Sequence, residues 1–253
     1  MVLSDAYAVV WHDLECGCYS ADLPLWRELA MRAATETEAQ PLLDIGAGTG
    51  RVALDLATRG HDVTALDLEE QLLSALRERA ATAETPVETA CADARTFALS
   101  RRDFAVCLAP MQTIQLLGGA AGRIAFLRQA HAHLRPGGLL ACAIVTEIEP
   151  FDCAAGDSGP SAEAAEVDGR RYISRAVSVQ VADSSISIER ERSIRGDVPA
   201  GQATDERNIV ELDRLSAAQL RREGHEAGFV SAGTRSIPAT QEHVGSEVVL
   251  LRA

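Results

Sequence analysis

Apolar and polar positions along this chain fall into three textures. From residue 42 to about 145, short apolar runs alternate with stretches whose apolar residues recur every three or four positions. Leu42, Leu43 and Ile45 form the first run, and Val52, Leu54, Leu56 and Ala57 begin a helical stripe directly after it. Residues 62–66 read as a second strand, ending in Asp67. Leu72, Leu73, Leu76 and Ala80 then mark the next helix. Val87 to Cys91 reads as a third strand and Asp103 to Leu108 as a fourth. Ile124, Leu127, Ala130 and Leu134 stripe a helix that the Arg135-Pro136-Gly137-Gly138 turn stops, and Leu139 to Val145 is a continuous apolar strand. Strands and helices in alternation predict a parallel sheet with right-handed crossovers.

Beyond residue 150 the texture changes. Pro150 to Ala165 is rich in Gly, Ser, Ala and Asp and reads as a loop. Period-two alternation follows, with Ile173, Val177, Val179 and Val181 on one face and Ser174, Ser178 and Gln180 on the other. It resumes at Ile186 and Ile188, the pattern of an antiparallel hairpin. Arg207 to Leu212 supplies a third strand. The third texture returns to the first: a helix over 217–227 closed by Gly228, then strands over 229–235 and 244–251 that rejoin the main sheet. The expected organisation is an N-terminal helical lid (1–40), a core (41–150 and 214–253) and an inserted antiparallel sheet (151–213).

With 253 residues, 47% of them hydrophobic, the chain can bury one sizeable core or one core plus a small appendage. A net charge of −13 argues against nucleic acid as a partner, because phosphate contacts need clustered Lys and Arg. Asp5, Asp13, Glu15, Asp22 and Glu28 interrupt the opening thirty residues, which excludes a secretory signal. No apolar run approaches the length of a membrane span, and a cytoplasmic location is expected. Six cysteines lack paired C-x-x-C spacing and neighbouring histidines. Cys91, Cys107 and Cys142 sit in strand-like runs, so structural thiols and no metal are expected.

The densest chemistry lies where the first strand ends in Asp44 and runs into Gly46-Ala47-Gly48-Thr49-Gly50-Arg51. Glycine lets backbone approach a ligand, and the N–H groups of the following helix start favour an anion. A dinucleotide fingerprint needs its third glycine at 51, where Arg51 stands; the spacing here is G-x-G-x-G. Asp67 follows Gly46 by 21 residues, at the end of the second strand, where a carboxylate accepts both hydroxyls of a ribose. That geometry serves NAD and S-adenosylmethionine alike.

The G-x-G-x-G loop resembles motif I of the class I S-adenosylmethionine-dependent methyltransferases. The resemblance extends through Cys91-Ala92-Asp93-Ala94, the segment Ala109 to Gln115, the L-R-P-G-G turn and the paired final strands. Asp103 precedes Phe104 where the family's F-D-x-V strand has the acid after it, which leaves Asp103 without a role. The resemblance implies an α/β, Rossmann-like, doubly wound seven-stranded sheet whose last strand is antiparallel. It implies S-adenosyl-L-methionine as cofactor and S-adenosyl-L-homocysteine as product. Asp44, Gly46, Ala47, Gly48, Gly50, Asp67, Leu68, Asp93, Ala94 and Ala109 would hold the cofactor, with Leu68 packing on its adenine ring. Met111, Gln112, Thr113 and Gln115 would face a small-molecule methyl acceptor, together with the lid aromatics Trp11, Tyr19 and Trp26.

A general base is required only if the acceptor carries a proton at the working pH, and the candidates are His12, Tyr19 and His243. His131, His133 and His225 read as surface or helix-end residues. The inserted sheet is similar to that of the glycine, sarcosine and amino-sugar N-methyltransferases, where it covers the active site or forms a dimer contact, so a homodimer is an open expectation. Its arginines (170, 171, 175, 190, 192 and 195) interleave with Glu189 and Glu191. They read as a solvated charge-balanced face or, more sharply, as a patch for an anionic substrate group. Two rivals stand beside methyl transfer to N or O: an NAD-dependent oxidoreductase, and a protein of this fold that binds S-adenosylmethionine for a non-methylating reaction.

Overall fold

The computed structural model describes residues 7–33, 40–196, 204–240 and 243–253. Residues 1–6 and 34–39 of the expected lid, and 197–203 of the expected insertion, lie outside them. Contacts divide the chain into two units, Met1–Tyr19 with Ile148–Arg214 and Ser20–Glu147 with Leu215–Ala253. Of the expected lid, the described residues 7–19 are grouped with the inserted sheet and 20–33 with the core.

The larger unit is a seven-stranded sheet. Its parallel strands are β1 (Pro41–Ile45), β2 (Asp62–Asp67), β3 (Glu88–Cys91), β4 (Phe104–Ala109) and β5 (Leu134–Ile144), followed by β11 (Val230–Ile237) and β12 (Ser246–Arg252). The order is β11-β12-β5-β4-β1-β2-β3, with β12 antiparallel to both β5 and β11. Every residue of β1 and of β4 is buried, as a central parallel strand covered on both faces requires. The helices are α2 (Leu23–Ala33), α3 (Arg51–Ala57), α4 (Glu70–Thr82), α5 (Gly119–His133) and α6 (Ala217–Glu226). Leu43, Ile45, Phe104, Phe126, Leu127, Leu140, Leu220 and Leu251 interlock in one core cluster. A fully buried side chain of this size contributes about 1.5 to 3 kcal/mol.

α2 is fastened to its unit by charge. Arg27 donates to both oxygens of Asp55 on α3 at 2.8 and 2.6 Å, and Arg235 on β11 donates to both oxygens of Glu28 at 2.9 and 2.8 Å.

The strand order reverses direction between β1 and β4, and in open parallel sheets ligands bind at the carboxyl ends of strands at such a switch point. The glycine loop leaves β1 there, and the segment from Pro110 to Leu117 leaves β4 beside it. The Pro136-Gly137-Gly138 turn falls inside β5, where the pairing with β4 jumps from Phe104↔Leu134 to Val106↔Leu139. Two solitary expectations fail in this unit. Cys91 is exposed, because β3 is the sheet's edge strand. His133 is fully buried: it accepts the Leu99 N–H on Nε2 at 3.0 Å, holds the Gln129 carbonyl with Nδ1 at 2.7 Å and stacks on Phe97.

The smaller unit opens with α1 (Ala8–His12), which passes into one π-helical turn (Asp13–Gly17). Its antiparallel sheet comprises β6 (Phe151–Asp152), β7 (Glu163–Val167), β8 (Arg170–Val181), β9 (Ser185–Gly196) and β10 (Asp205–Asp213), ordered β10-β9-β8-β6 with β7 also on β8. The stretch expected to be a loop thus holds two short strands. The face assignment of β8 also changes: Tyr172, Ser174, Ala176 and Ser178 are buried, whereas Ile173 and Val177 are half-buried and Val181 is exposed. A bulge between Ala176 and Ser178 reverses the alternation, which turns Val179 inward. On β9 the inward face carries Ile186, Ile188, Arg190, Arg192 and Ile194.

Two arginines on an inward face need partners. The π-helical turn supplies Glu15, which accepts from Arg192 Nε and Nη2 at 2.7 Å each and from Ser174 Oγ at 2.7 Å. Arg190 donates to Ser174 Oγ at 2.9 Å and pairs with Glu163. Arg192 also stands 5.5 Å over the Trp11 ring, which packs edge-on against Tyr172. Burial pushes the Glu15 carboxyl up, but the Arg192 and Ser174 hydrogen bonds and the two guanidinium charges outweigh it and hold the group below its ordinary range.

Candidate functional site

The loop after β1 is built on left-handed backbone. Gly46, Gly48 and Gly50 have φ of 70°, 55° and 97°, a region that a side chain disfavours. Space excludes one as well: a Cβ on Gly46 would lie 2.6 Å from Thr113 Oγ1, and one on Gly50 2.7 Å from Leu76 Cγ. The amides of Gly46 and Ala47 both donate to the Leu66 carbonyl, at 2.8 and 3.1 Å. The Gly48 N–H donates to Asp67 Oδ2 at 2.7 Å, and the Glu69 N–H donates to Asp67 Oδ1 at 2.9 Å. Three loop amides expected to meet an anion are therefore engaged with β2 and its terminal acid. What they accomplish is to join the loop to Asp67 as one rigid edge.

Behind this edge lies a group of buried charges. Arg51, the first residue of α3, donates to both oxygens of Asp22 at 2.6 and 2.8 Å. The same Asp22 accepts from Trp26 Nε1 at 2.8 Å, and it is 1% exposed. Asp44, at the penultimate position of β1, is equally buried, and neither of its carboxylate oxygens has a hydrogen-bond partner. Burial raises its pKa to about 7; Arg51 and, more weakly, the Ala53 backbone N–H oppose the rise, and the negative charges of Asp67 and Asp22 add to it.

The remaining cofactor candidates cluster along the same edge of the sheet. Leu68 is 61% exposed, an unusual state for a leucine beside a functional loop. Asp93 follows β3, and both its oxygens are taken by Arg95, whose guanidinium holds the carboxyl below the usual range. Ala94 is half-buried beside it. Ala109, fully buried, ends β4. Met111 then takes φ of 53°, a left-handed conformation that a residue of this bulk adopts at a cost of about 1 to 3 kcal/mol. Gln112 and Thr113 are half-buried in the same turn, and Thr113 Oγ1 donates to the Pro110 carbonyl at 2.9 Å.

Two expectations are corrected here. Gln115 is 1% exposed; its Nε2 donates to the Val145 carbonyl at 3.1 Å and its Oε1 accepts the Val145 N–H at 2.8 Å, so it pins the turn to the end of β5 and does not face an acceptor. Trp26 is fully buried with its N–H on Asp22, which makes it a core residue.

His243 lies in the β11–β12 connection at the carboxyl edge, its N–H bonded to Thr240 Oγ1 at 2.9 Å. It is three strands from β1, about 14 Å at ordinary strand spacing. Trp11, His12 and Tyr19 belong to the smaller unit. Trp11 is buried in its aromatic cluster, where its cation–π partner is Arg192. Tyr19 is buried and His12 half-buried. Sequence reasoning missed Asp22, the partner of Arg51; an acid preceding an apolar helix was its only signal.

Residues 42–138 match the family described as Methyltransferase domain. A curated relative, Hemagglutinin 1 of Eikenella corrodens, is 29% identical over 158 residues, which are 60% of this chain and 51% of the relative, so the chain spans about half the length of that relative. Among solved structures, a sugar N-methyltransferase from a Streptoalloteichus species superposes with a TM-score of 0.71 at 18% identity, covering 98% of this chain and 93% of that one. An amino pentose methyltransferase from Micromonospora echinaspora, involved in calicheamicin biosynthesis and solved with S-adenosylmethionine bound, gives 0.66 at 22% identity over 98% and 97%. An S-adenosylmethionine-dependent methyltransferase from Clostridium acetobutylicum gives 0.69 at 13% identity over 98% of both chains. The family match covers the segment that carries the glycine loop, Asp67 and Asp93, so this chain carries a methyltransferase domain, and the whole chain shares its fold with S-adenosylmethionine-dependent methyltransferases.

Proposed function

We propose that this enzyme transfers a methyl group to a nitrogen or oxygen of a small molecule in the cytoplasm, with its cofactor at the carboxyl edge between β1 and β4. The observation that carries the placement is Asp67: fixed by the Gly48 and Glu69 amides, its oxygens keep lone pairs for the two hydroxyls of a ribose. The surroundings fit an adenosyl amino acid. Left-handed glycines let backbone come close, exposed Leu68 offers an apolar surface for a base, and the buried Asp44 carboxyl has no side-chain hydrogen bond among the described residues.

When bound, the cofactor supplies a sulfonium methyl that is already electrophilic. The residues of the chain then have to orient and to exclude water. Gly46, Ala47, Gly48, Gly50 and Ala109 hold the amino-acid end, Asp67 the ribose, and Leu68, Asp93 and Ala94 the adenine. Met111, Gln112 and Thr113, in the strained turn after β4, face the acceptor. Orientation alone can supply about 7 to 11 kcal/mol in the best cases. His243, in the β11–β12 connection, stays a candidate base for an acceptor that carries a proton.

The likeness over nearly the full chain to a sugar N-methyltransferase and an amino pentose methyltransferase supports an amine on a sugar-like natural-product intermediate as the acceptor. Calorimetry with S-adenosylhomocysteine and with NADH tests the cofactor: binding of NADH alone overturns the reading. Turnover of S-adenosylmethionine against paired amino and hydroxy sugars tests the acceptor. Tight cofactor binding without methyl transfer to any of them favours a non-methylating reaction instead.

A further inference from the structure

Asp44 is the buried acid of the core unit that its surroundings leave unsatisfied. Neither oxygen has a hydrogen-bond partner, and the residue is 1% exposed. The charged groups that act on it are Arg51, Asp67 and Asp22, the Ala53 N–H acts weakly against the rise, and from β4 the neutral Cys107 thiol lies within reach of its charge. The cation among them is held bidentately by Asp22, and Asp67 is bound to the loop amides. Fully ionised, this group would place two buried carboxylates, Asp44 and Asp22, and the half-buried Asp67 against one guanidinium, an arrangement that burial disfavours. A second cation beside Asp44 would reverse that balance.

We propose that Asp44 is a proton-exchange site for the cofactor: the free enzyme holds its carboxyl protonated, and binding of the cationic cofactor releases that proton to solvent. This rests on the cofactor reading above. S-adenosylmethionine carries a sulfonium, an ammonium and one carboxylate, a net charge of plus one, so the step balances: Asp44 gives up H⁺, becomes a carboxylate and gains a counter-charge, and no covalent bond to the cofactor forms. Asp44 is thus a charge-compensating positioning residue, and cofactor affinity becomes pH-dependent through it. Its ordinary value is shifted to about 7, which puts the exchange within the physiological range.

Calorimetric titration of the full chain with S-adenosylmethionine about one pH unit below neutrality, in two buffers of different ionisation enthalpy, counts the protons. The expected result is close to one proton released per cofactor, with affinity rising about tenfold per pH unit until about pH 7 and flat above. Asp44→Asn is expected to bind without proton release and without that slope. Cofactor binding by the wild type with no release, or equal release by Asp44→Asn, overturns the proposal while leaving the cofactor reading intact. Absence of any S-adenosylmethionine binding would sink the cofactor reading itself. If Asp44→Asn does not fold, infrared difference spectroscopy of the wild type decides. A protonated buried carboxyl band that disappears on cofactor addition supports the exchange, and a band that persists or is absent beforehand refutes it.

Discussion

The two units each bury a cluster of opposite charges, and they treat it in opposite ways. In the smaller unit Glu15 faces Arg192 and Arg190 with Ser174 filling the remaining valence, and Glu163 and Glu206 complete the arginines. In the larger unit Asp22 claims Arg51, and Asp44 is left with no hydrogen bond. A satisfied buried ion cluster specifies how a segment docks; an unsatisfied one marks a place prepared for something from outside. The arginines of the inserted sheet, which from sequence alone invite an anionic substrate, divide accordingly. Arg190 and Arg192 hold the N-terminal segment, while Arg207 on the outer face pairs with Glu189 and Glu191, and Arg195 with Asp205.

The sharpest way to break this contrast is to remove one acid from each centre. Glu15→Ala removes the acid shared by two inward arginines, leaving Arg190 with Glu163 and Arg192 with Glu206 alone, and is expected to destabilise the fold by about 3 kcal/mol, read by thermal or denaturant unfolding. Asp44→Asn replaces a carboxyl that the free protein holds protonated with a neutral amide and is expected to leave unfolding unchanged or slightly harder.

The pH dependence of stability, measured by denaturant titration on single variants, should separate the centres by sign. Glu15 has a folded value below its ordinary 4.5, so its contribution is present above pH 4.5 and is lost as pH falls. Asp44 has a folded value raised from 3.8 to about 7, so its contribution is full below 3.8 and declines until pH passes about 7. That decline amounts to a few kcal/mol and should vanish in Asp44→Asn. Equal slopes in the wild type and in Asp44→Asn would erase the distinction between the two centres.

Smaller effects sharpen the cofactor edge. Asp67→Ala should weaken cofactor binding at least tenfold, the loss of a charge-assisted hydrogen bond of about 1.5 to 3 kcal/mol; unchanged affinity in calorimetry refutes the ribose assignment. Leu68→Ala should lower affinity a few-fold, by up to about 1 kcal/mol, without altering the unfolding midpoint, because the side chain is exposed in the free protein.

The core's alternation of strands and helices was readable from apolar spacing, since a central strand such as β4 has every residue buried and its sequence is correspondingly unbroken. The inserted sheet was readable in kind but not in phase. The bulge at Ala176–Ser178 reverses inside and outside, and no residue type announces a bulge built from Ala, Val and Ser. Asp44, the glycines and Asp67 were legible because their chemistry is local to strand ends. Gln115 and Asp22 were not, because what defines each is a partner about thirty residues away, Val145 for one and Arg51 for the other. His133 looked like a helix-end residue and proved to be buried, since its acceptor nitrogen serves an amide on a distant loop. Its burial holds its pKa down, which fits a neutral ring at that position.

The Arg51–Asp22 pair also constrains how this chain can change. A glycine at 51 would complete the spacing of a dinucleotide loop, yet in this background it would leave Asp22, at 1% exposure, without a cation and with the Trp26 N–H as its remaining side-chain hydrogen bond. An uncompensated charge there costs about 3 to 5 kcal/mol, a large share of the stability of an ordinary domain. The short mutational route to another nucleotide is thereby closed, and a viable path must first neutralise Asp22. A salt bridge behind the loop thus ties the choice of cofactor to the stability of the fold, so that exchanging the loop's spacing takes two coordinated substitutions.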